Sequence, residues 1–484
     1  MVNRFVYKPD NQDIYFFLGL LFTIYLTIRA IVIPITIDEA GTYYNYMPRS
    51  VADILLFNGD PSPNNHILNT LSMKLFTALF GTTTFVVRLP NLLGFLLFYT
   101  AAVRLFTLMF KTRILVIAAL LVLLCNPYLL DFFAVARGYG LSIAFMFWSL
   151  YQFYQYYNNK KFQYAVTTLI AAAFAVLANF TLLHYFILIF LVIVVLEFRI
   201  IQNINRWRHL LIYICIVIIL AAICYIPITK MMQTNQLVYW DTAGFYSSTL
   251  VPLVEQMRYG ELYFGIKQAQ PFANSILVLF GLLIGIALFY FFKKPTGKKL
   301  PFGSWVLIIL SGNISIIIIQ FHLWHVPFLN GRGALFLYPM FVLTLLALLQ
   351  ELISTSIKFP KYILLILAGI GIIHISQTAN ITSTREWWFD AHTKEVLSWI
   401  NQQHPGKENV TLNSSWIFNN SLHFHKDVQQ FYNLEIAPYH QELWPDGNYL
   451  YYYCQREEVG QLDSTYNEVK SFNYGSFVIM KKSN

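Results

Sequence analysis

The sequence predicts a polytopic α-helical membrane protein of about eleven transmembrane helices, carrying a small α/β domain at its C-terminus. Three observations predict it. Of 484 residues, 57% are hydrophobic and only 12% are charged, about half the charged share of an ordinary soluble domain. Apolar windows long enough to cross the hydrocarbon core as helices recur along the chain. Only after residue 378 does charge rise and do the apolar runs shorten.

The windows fall at residues 14–36, 85–108, 114–130, 139–157, 163–179, 182–198, 209–228, 272–292, 302–320, 333–350 and 362–378. The shortest are 114–130 and 163–179. Orientation follows from basic residues in the short connections. A cytoplasmic N-terminus puts Arg4, Lys8, Lys111, Arg113, Lys160 and Lys161 inside, with Arg199, Arg206, Arg208, Lys293, Lys294, Lys298, Lys299, Lys358 and Lys361. The opposite side holds Arg49, Lys74, Arg88, Arg137, Lys230, Arg258, Lys267 and Arg332. The net charge of +9 is therefore an expression of topology, and it does not mark a nucleic-acid partner. No small-residue cleavage site follows the first apolar run, so it reads as a retained span. Cys125, Cys215 and Cys224 fall in spans and Cys454 in the C-terminal domain, which implies no disulfide framework.

The expected organisation is a transmembrane domain over 1–378 with outer segments at 38–84 and 229–271, then an outer domain over 379–484. The first outer segment contains two amphipathic stretches, "RSVADILLF" and "HILNTLSMKLFTALFG". Leu68, Leu71, Leu75 and Leu79 share one helical face, the pattern of a helix lying along an interface. The segment 229–271 is rich in Tyr, Gln and Gly and reads as a mobile loop. In the C-terminal domain, "HTKEVLSWINQQ" and "WIFNNSLHFHKDVQQF" read as helices, and "NVTLNS", "NYLYYYC" and "SFVIMKK" as strands. It carries no phosphate loop, CxxC, HExxH or GxSxG.

Chemistry-bearing residues gather at the outer rim of the spans. "IPITIDEAGTYYNYM" sets Asp38 and Glu39 where the first span runs out, followed by Tyr43 and its neighbours. Nearby "PSPNNHILN" adds His66. An ordinary loop carboxylate would sit here without function, but apolar surroundings disfavour the charged form and would raise the pKa toward that of a general base. "FAVARGYGLSIAF" places Arg137 beside Tyr139 and two glycines, Gly138 and Gly140. Such an arginine either snorkels to headgroups or holds a phosphate through its planar fork of donors, with the glycines letting the phosphate approach the backbone. "HLWHVPFLNGRGALFLYP" contributes His322, His325, Asn330, Arg332 and Tyr338. The two histidines share a helical face, but a metal needs three or more ligands and no third is evident, so a divalent metal is left open. Asp241, Glu255, Arg258, Tyr259 and Glu261 are weaker loop candidates.

The ordered set of the Asp-Glu pair, "NNHILNTL", "FGTTTFVVRLPNLLGFL", "ARGYGLSIAF" and "GRGALFLYP" resembles bacterial members of the glycosyltransferase C superfamily. The nearest are those grouped with the protein O-mannosyltransferases and the lipid A aminoarabinose transferases. The resemblance covers residues 14 to about 350. It implies transfer of a sugar from a polyprenyl-phosphate carrier to a hydroxyl of a lipid, glycan or protein acceptor at the outer face of a bacterial inner membrane, with no nucleotide cofactor. It implies Asp38 as the base, Glu39 as its acidic partner, and His66 and Arg137 as substrate contacts. Arg332 and Arg258 are the further expected phosphate contacts. The large inserted domain of the protein mannosyltransferases is missing, which speaks against a protein acceptor. Two other classes fit a polytopic chain. A lipid or glycan transporter or flippase would set its ionisable groups near the bilayer midplane, and a non-catalytic scaffold would leave the rim residues incidental.

Overall fold

The computed structural model describes residues 12–200, 205–236, 242–292, 300–354, 359–405, 409–431, 433–443 and 448–483. Arg4, Lys8, Asp241, Lys293, Lys294, Lys298, Lys299 and Lys358 lie outside them. A helix occupies each of the eleven expected windows. The first is α1 (Gln12–Val32), and the outer segment after it holds α2 (Ile37–Asn45), α3 (Val51–Leu56) and α4 (Ile67–Phe80). Then come α5 (Thr84–Met109), α6 (Arg113–Leu124), α7 (Pro127–Ala134), α8 (Gly138–Asn159), α9 (Phe162–Ala178), α10 (Leu183–Ile200) and α11 (Asn205–Gln233). After α12 (Val251–Met257), the bundle ends with α13 (Gln270–Phe292), α14 (Phe302–Trp324), α15 (Leu337–Ser354) and α16 (Phe359–Thr378).

Among the described residues, eight helices are long and apolar enough to cross a membrane, or nine if α6 and α7 form one span. Three expectations change. The window 14–36 ends as helix at Val32, because Pro34 disfavours helical backbone in the residue before it. The window 114–130 is two helices bent by 73°. Asn126 is extended before Pro127, which opens α7 at the one position where a missing N–H costs nothing. The segment 229–271 is not a plain loop: α11 runs to Gln233, and a wide helical turn at Phe245–Leu250 leads into α12.

The segment 38–84 carries the expected amphipathic helices. Ser50 caps α3, and α4 buries Ile67, Thr70 and Met73 while Leu75 and Leu79 face outward, as a helix at an interface would. The bundle packs α5 and α8 around a continuous core that includes Phe95, Phe98, Phe133 and Phe147. Large apolar side chains on α11 and α13, such as Leu211, Ile218, Val278 and Leu282, point outward, a surface suited to lipid and unsuited to water.

After α16 the chain forms α17 (Thr393–Gln403), β1 (Val410–Ser414), α18 (Trp416–Gln429), β2 (Leu434–Ile436), β3 (Tyr451–Gln455), β4 (Tyr466–Phe472) and β5 (Phe477–Lys482). The sheet order is β2-β1-β3-β5-β4. β1 runs parallel to β2 and β3, while β5 is antiparallel to β3 and β4. The α/β expectation holds, with β2 and β4 as additions. Leu412, Phe418, Leu422, Tyr453 and Ile479 build a core of the domain's own. A separate cluster ties the domain to the bundle rim, where Phe424 of α18 joins Ile35, Ala40, Met73, Val87 and Ala136.

Candidate active site

The site is built on α2. Thr36 at its N-cap accepts from the backbone N–H of Glu39, and Glu39 accepts from the backbone N–H of Thr36, a reciprocal capping box that sets where the helix begins. The C-terminal domain completes this cap. Asp390 accepts the Ile37 N–H at 2.8 Å and is itself held by Ser421, and the His425 Nε2 accepts the Ile35 N–H at 3.1 Å.

Asp38 and Glu39 are one residue apart, hence about 100° apart around the helix, and they meet different worlds. Glu39 is fully buried. It accepts from Arg88 Nε at 2.8 Å and Arg88 Nη2 at 2.6 Å, and from the backbone N–H of Ala136 and of Thr36. Arg88, also fully buried, spends its other donors on the carbonyls of Ile33 and Pro34. Burial alone would raise the Glu39 carboxyl, but Arg88 and these bonds bring it below its ordinary value. The role expected of Glu39 as the acidic partner of the base is therefore revised: its oxygens are consumed by a clamp that joins α2, α5 and the α7–α8 junction.

Asp38 faces the other way, with 16% of its side chain exposed. Its Oδ2 lies 3.0 Å from Arg332 and 3.6 Å from Arg137. Burial raises its pKa, yet the charges of Arg332 and Arg137 outweigh burial and hold it below 3.8. The expected upward shift is thus corrected, because two guanidiniums that the sequence separates by 195 positions meet at this carboxylate.

Arg137 is fully buried. It donates to Thr42 Oγ1 at 3.1 Å, to Asn64 Oδ1 at 2.8 Å, and to the backbone carbonyl of Asp38 at 3.3 Å. It is a strut between α2 and the 62–65 turn, with its donors turned into the protein and not toward a phosphate. The flanking glycines serve packing too: a Cβ on Gly138 would sit 1.9 Å from the Ala178 carbonyl, and one on Gly140 2.1 Å from that of Phe132. Arg332 is different. It is 28% exposed, lies 3.6 Å from Glu386, and stacks over the Trp387 ring at 5.0 Å.

The remaining candidates separate. Tyr139 packs its ring edge-on against His66, centroids 4.9 Å apart, and reaches the same cavity as Arg332. His66 is buried beneath it, and burial together with Arg137 and Arg332 lowers its pKa well below 6.5, so it is neutral. Tyr43 packs against Tyr44 and against Phe424 of the C-terminal domain, each at 5.1 Å, and so belongs to domain docking. Arg258 donates to the carbonyls of Glu261, Ile266 and Lys267 and pairs with Glu255. It tethers its own loop beside a second, mainly apolar cavity of about 510 Å³, apart from Asp38. His322 and His325 are not joined by a third ligand: among the described residues, no three His, Cys, Asp or Glu side chains form a metal-binding group.

Arg332 opens onto a cavity of about 720 Å³. Asn64, Tyr139, Asn330 and Glu386 line it from the bundle rim, and Trp416, Tyr439 and Gln441 from the C-terminal domain. Sequence reading missed Glu386, Asp390 and the three C-terminal residues. Asn64 had a local signal, among the amides of "PSPNNHILN"; the others sit in segments without any motif.

No family model matches the chain, and no curated protein matches it. Among solved structures it is similar to the crystal structure of ArnT from Cupriavidus metallidurans in the apo state, at 13% identity and a TM-score of 0.47 over 96% of this chain and 97% of that one. It is similar also to the same protein bound to undecaprenyl phosphate, at 13% identity and a TM-score of 0.45 with the same coverage.

Proposed function

We propose that this protein is an integral-membrane glycosyltransferase that moves a sugar from a polyprenyl-phosphate carrier to an acceptor hydroxyl at the outer membrane boundary. One observation carries the reading: an ionised, partly exposed Asp38, gripped by Arg332 and Arg137 where the first span ends, beside a large polar cavity. The ordered motifs of the sequence support it. In this reading residues 1–378 form the transferase domain and 379–484 a periplasmic domain of a bacterial inner-membrane protein whose N-terminus is cytoplasmic.

The step is a displacement at the anomeric carbon that inverts its configuration. The acceptor oxygen bonds to that carbon as its proton passes to Asp38. The bond from the carbon to the phosphate oxygen breaks, and the lipid phosphate leaves with the electron pair. Arg332, the partly exposed cation, meets that charge as it develops, an interaction stronger in the transition state than in the ground state and hence one that accelerates the reaction. Its departure toward the phosphate would also strip Asp38 of its nearer counter-charge, so the carboxylate gains basicity as the proton arrives. Arg137, Asn64 and Thr42 hold Asp38 in register, and Glu39 with Arg88 holds the helix that bears it.

The test is transfer of labelled sugar from polyprenyl phosphate to endogenous acceptors in membranes containing wild-type or Asp38→Asn protein. A folded Asp38→Asn variant that keeps activity within a few fold of wild type would overturn the assignment.

A further inference from the structure

The C-terminal domain contributes a wall to the site that the transfer step by itself does not use. Trp416 begins α18 directly beyond the carboxyl end of β1, and Tyr439 and Gln441 follow the carboxyl end of β2. β1 and β2 are parallel neighbours, and the chain leaves β1 through α18 to β2 on one side while β3 lies on the other. The crevice outside the carboxyl ends of parallel strands, where the strand order reverses direction, is where open α/β sheets bind ligands. Here the residues just beyond the carboxyl ends of the parallel pair β1 and β2 line the cavity that holds Arg332.

Its chemistry is specific. Trp416 and Tyr439 keep 43% and 48% of their surface exposed, although aromatic side chains of this size are ordinarily covered. Gln441 stands beside them, and Asn64, Asn330 and Gln236 line the same cavity. Each amide offers two donors and an acceptor with two lone pairs. Exposed ring faces together with paired amide donors and acceptors match a pyranose or furanose ring, which has an apolar face of C–H bonds and a rim of neutral hydroxyls. The cavity's guanidinium belongs to Arg332, on the bundle side, so a lipid phosphate and a neutral sugar would divide the cavity between them.

Resting on the transferase reading, we infer that Trp416, Tyr439 and Gln441 form an acceptor subsite for a carbohydrate, and that the acceptor hydroxyl delivered to Asp38 belongs to a glycan. The same saccharide chemistry can arrive as a free glycan or as the headgroup of a glycolipid.

The experiment uses the full-length protein in lipid nanodiscs. Saturation-transfer NMR is recorded with N-acetylglucosamine, mannose, galactose, glucose, arabinose and their disaccharides, and with nanodiscs holding glycolipids that bear the same headgroups. The expected result is binding of at least one saccharide that weakens about tenfold in Trp416→Ala and in Tyr439→Ala and is largely kept in Trp416→Phe. Dependence on Trp416 with the free saccharide alone makes the source a soluble glycan, and with the glycolipid alone a lipid headgroup; both support the subsite. Thermal unfolding of each variant establishes that it is folded, and Trp416→Phe decides the matter if Trp416→Ala is not. No binding by wild type across the panel overturns the inference, as does equal binding by wild type and both alanine variants, or Trp416-dependent binding of an unglycosylated Ser/Thr peptide in place of sugars. Saccharide binding with the expected dependence, in a protein that transfers no sugar from polyprenyl phosphate, would support the subsite while defeating the transferase reading.

Discussion

Asp38–Arg332 and Glu39–Arg88 are carboxylate–guanidinium pairs on adjacent residues of one helix, and they are built for opposite ends. In the Glu39 pair neither side chain has any exposure, and every carboxylate lone pair with a partner is met by Arg88 or by backbone N–H. In the Asp38 pair the carboxylate keeps 16% exposure and the guanidinium 28%, and the cation is shared with Glu386. A fully enclosed, fully satisfied pair resists exchange of partners, because moving either charge leaves the other buried and unpaired. A pair at the edge of a cavity can exchange partners with a substrate. Burial thus separates a sealed clamp from a pair open to a cavity where residue type does not.

The comparison can be broken in four places. The largest effect is expected at Asp38→Asn, which in the transferase reading removes the base and should lower transfer by on the order of 100-fold or more in a protein that still melts cooperatively; labelled-sugar transfer beside a melting curve measures both. Next is Glu39→Gln, which leaves Arg88 with a weakened partner in a buried setting and should destabilise the protein by up to about 3–5 kcal/mol. Its signature is a lowered melting temperature in purified protein, and an unchanged melting temperature would deny the clamp.

Arg332→Gln should cost on the order of 100-fold in transfer and should also move the pH profile. With Arg332 present, Asp38 titrates below 3.8. It is a depressed carboxylate, so the stability its pairing contributes is complete above 3.8 and is lost as pH falls through the lower folded value. Without Arg332, one of the two charges that oppose burial is gone and the pKa rises, so the acid limb of the rate should shift to higher pH in the variant. Profiles of kcat/KM that superimpose would contradict this. The smallest effect belongs to Arg258→Gln. Its donors bind loop carbonyls beside the other cavity, so transfer should stay within a few fold of wild type, whereas a loss like that of Arg332→Gln would return Arg258 to the substrate site.

The C-terminal domain gives the same lesson on a larger scale. It looks like an appendage in sequence, yet Asp390 and His425 hold the start of α2, Phe424 packs into the rim, and Trp416 and Tyr439 line the cavity. None of these carries a local mark, since a hydrogen bond to Ile37 from a residue 353 positions away leaves no pattern within any window of the chain. The same holds for Glu386, an unremarkable glutamate in the connection after α16 until Tyr128 and Arg332 are found beside it.

What the sequence by itself determined is what depends on neighbours along the chain. The membrane helices follow from apolar length, β1, β3 and β5 of the C-terminal domain from short alternating and apolar runs, and the position of Asp38 from the end of the first span. The tertiary structure alone decided which of two adjacent carboxylates is sealed, which arginines face the cavity, and the direction in which the Asp38 pKa moves. The physical reason is that burial and charge are sums over everything within a few ångströms, and at this site those neighbours come from α2, the 62–65 turn, the start of α8, the connection before α15 and the segment after α16, which meet only once the chain has folded.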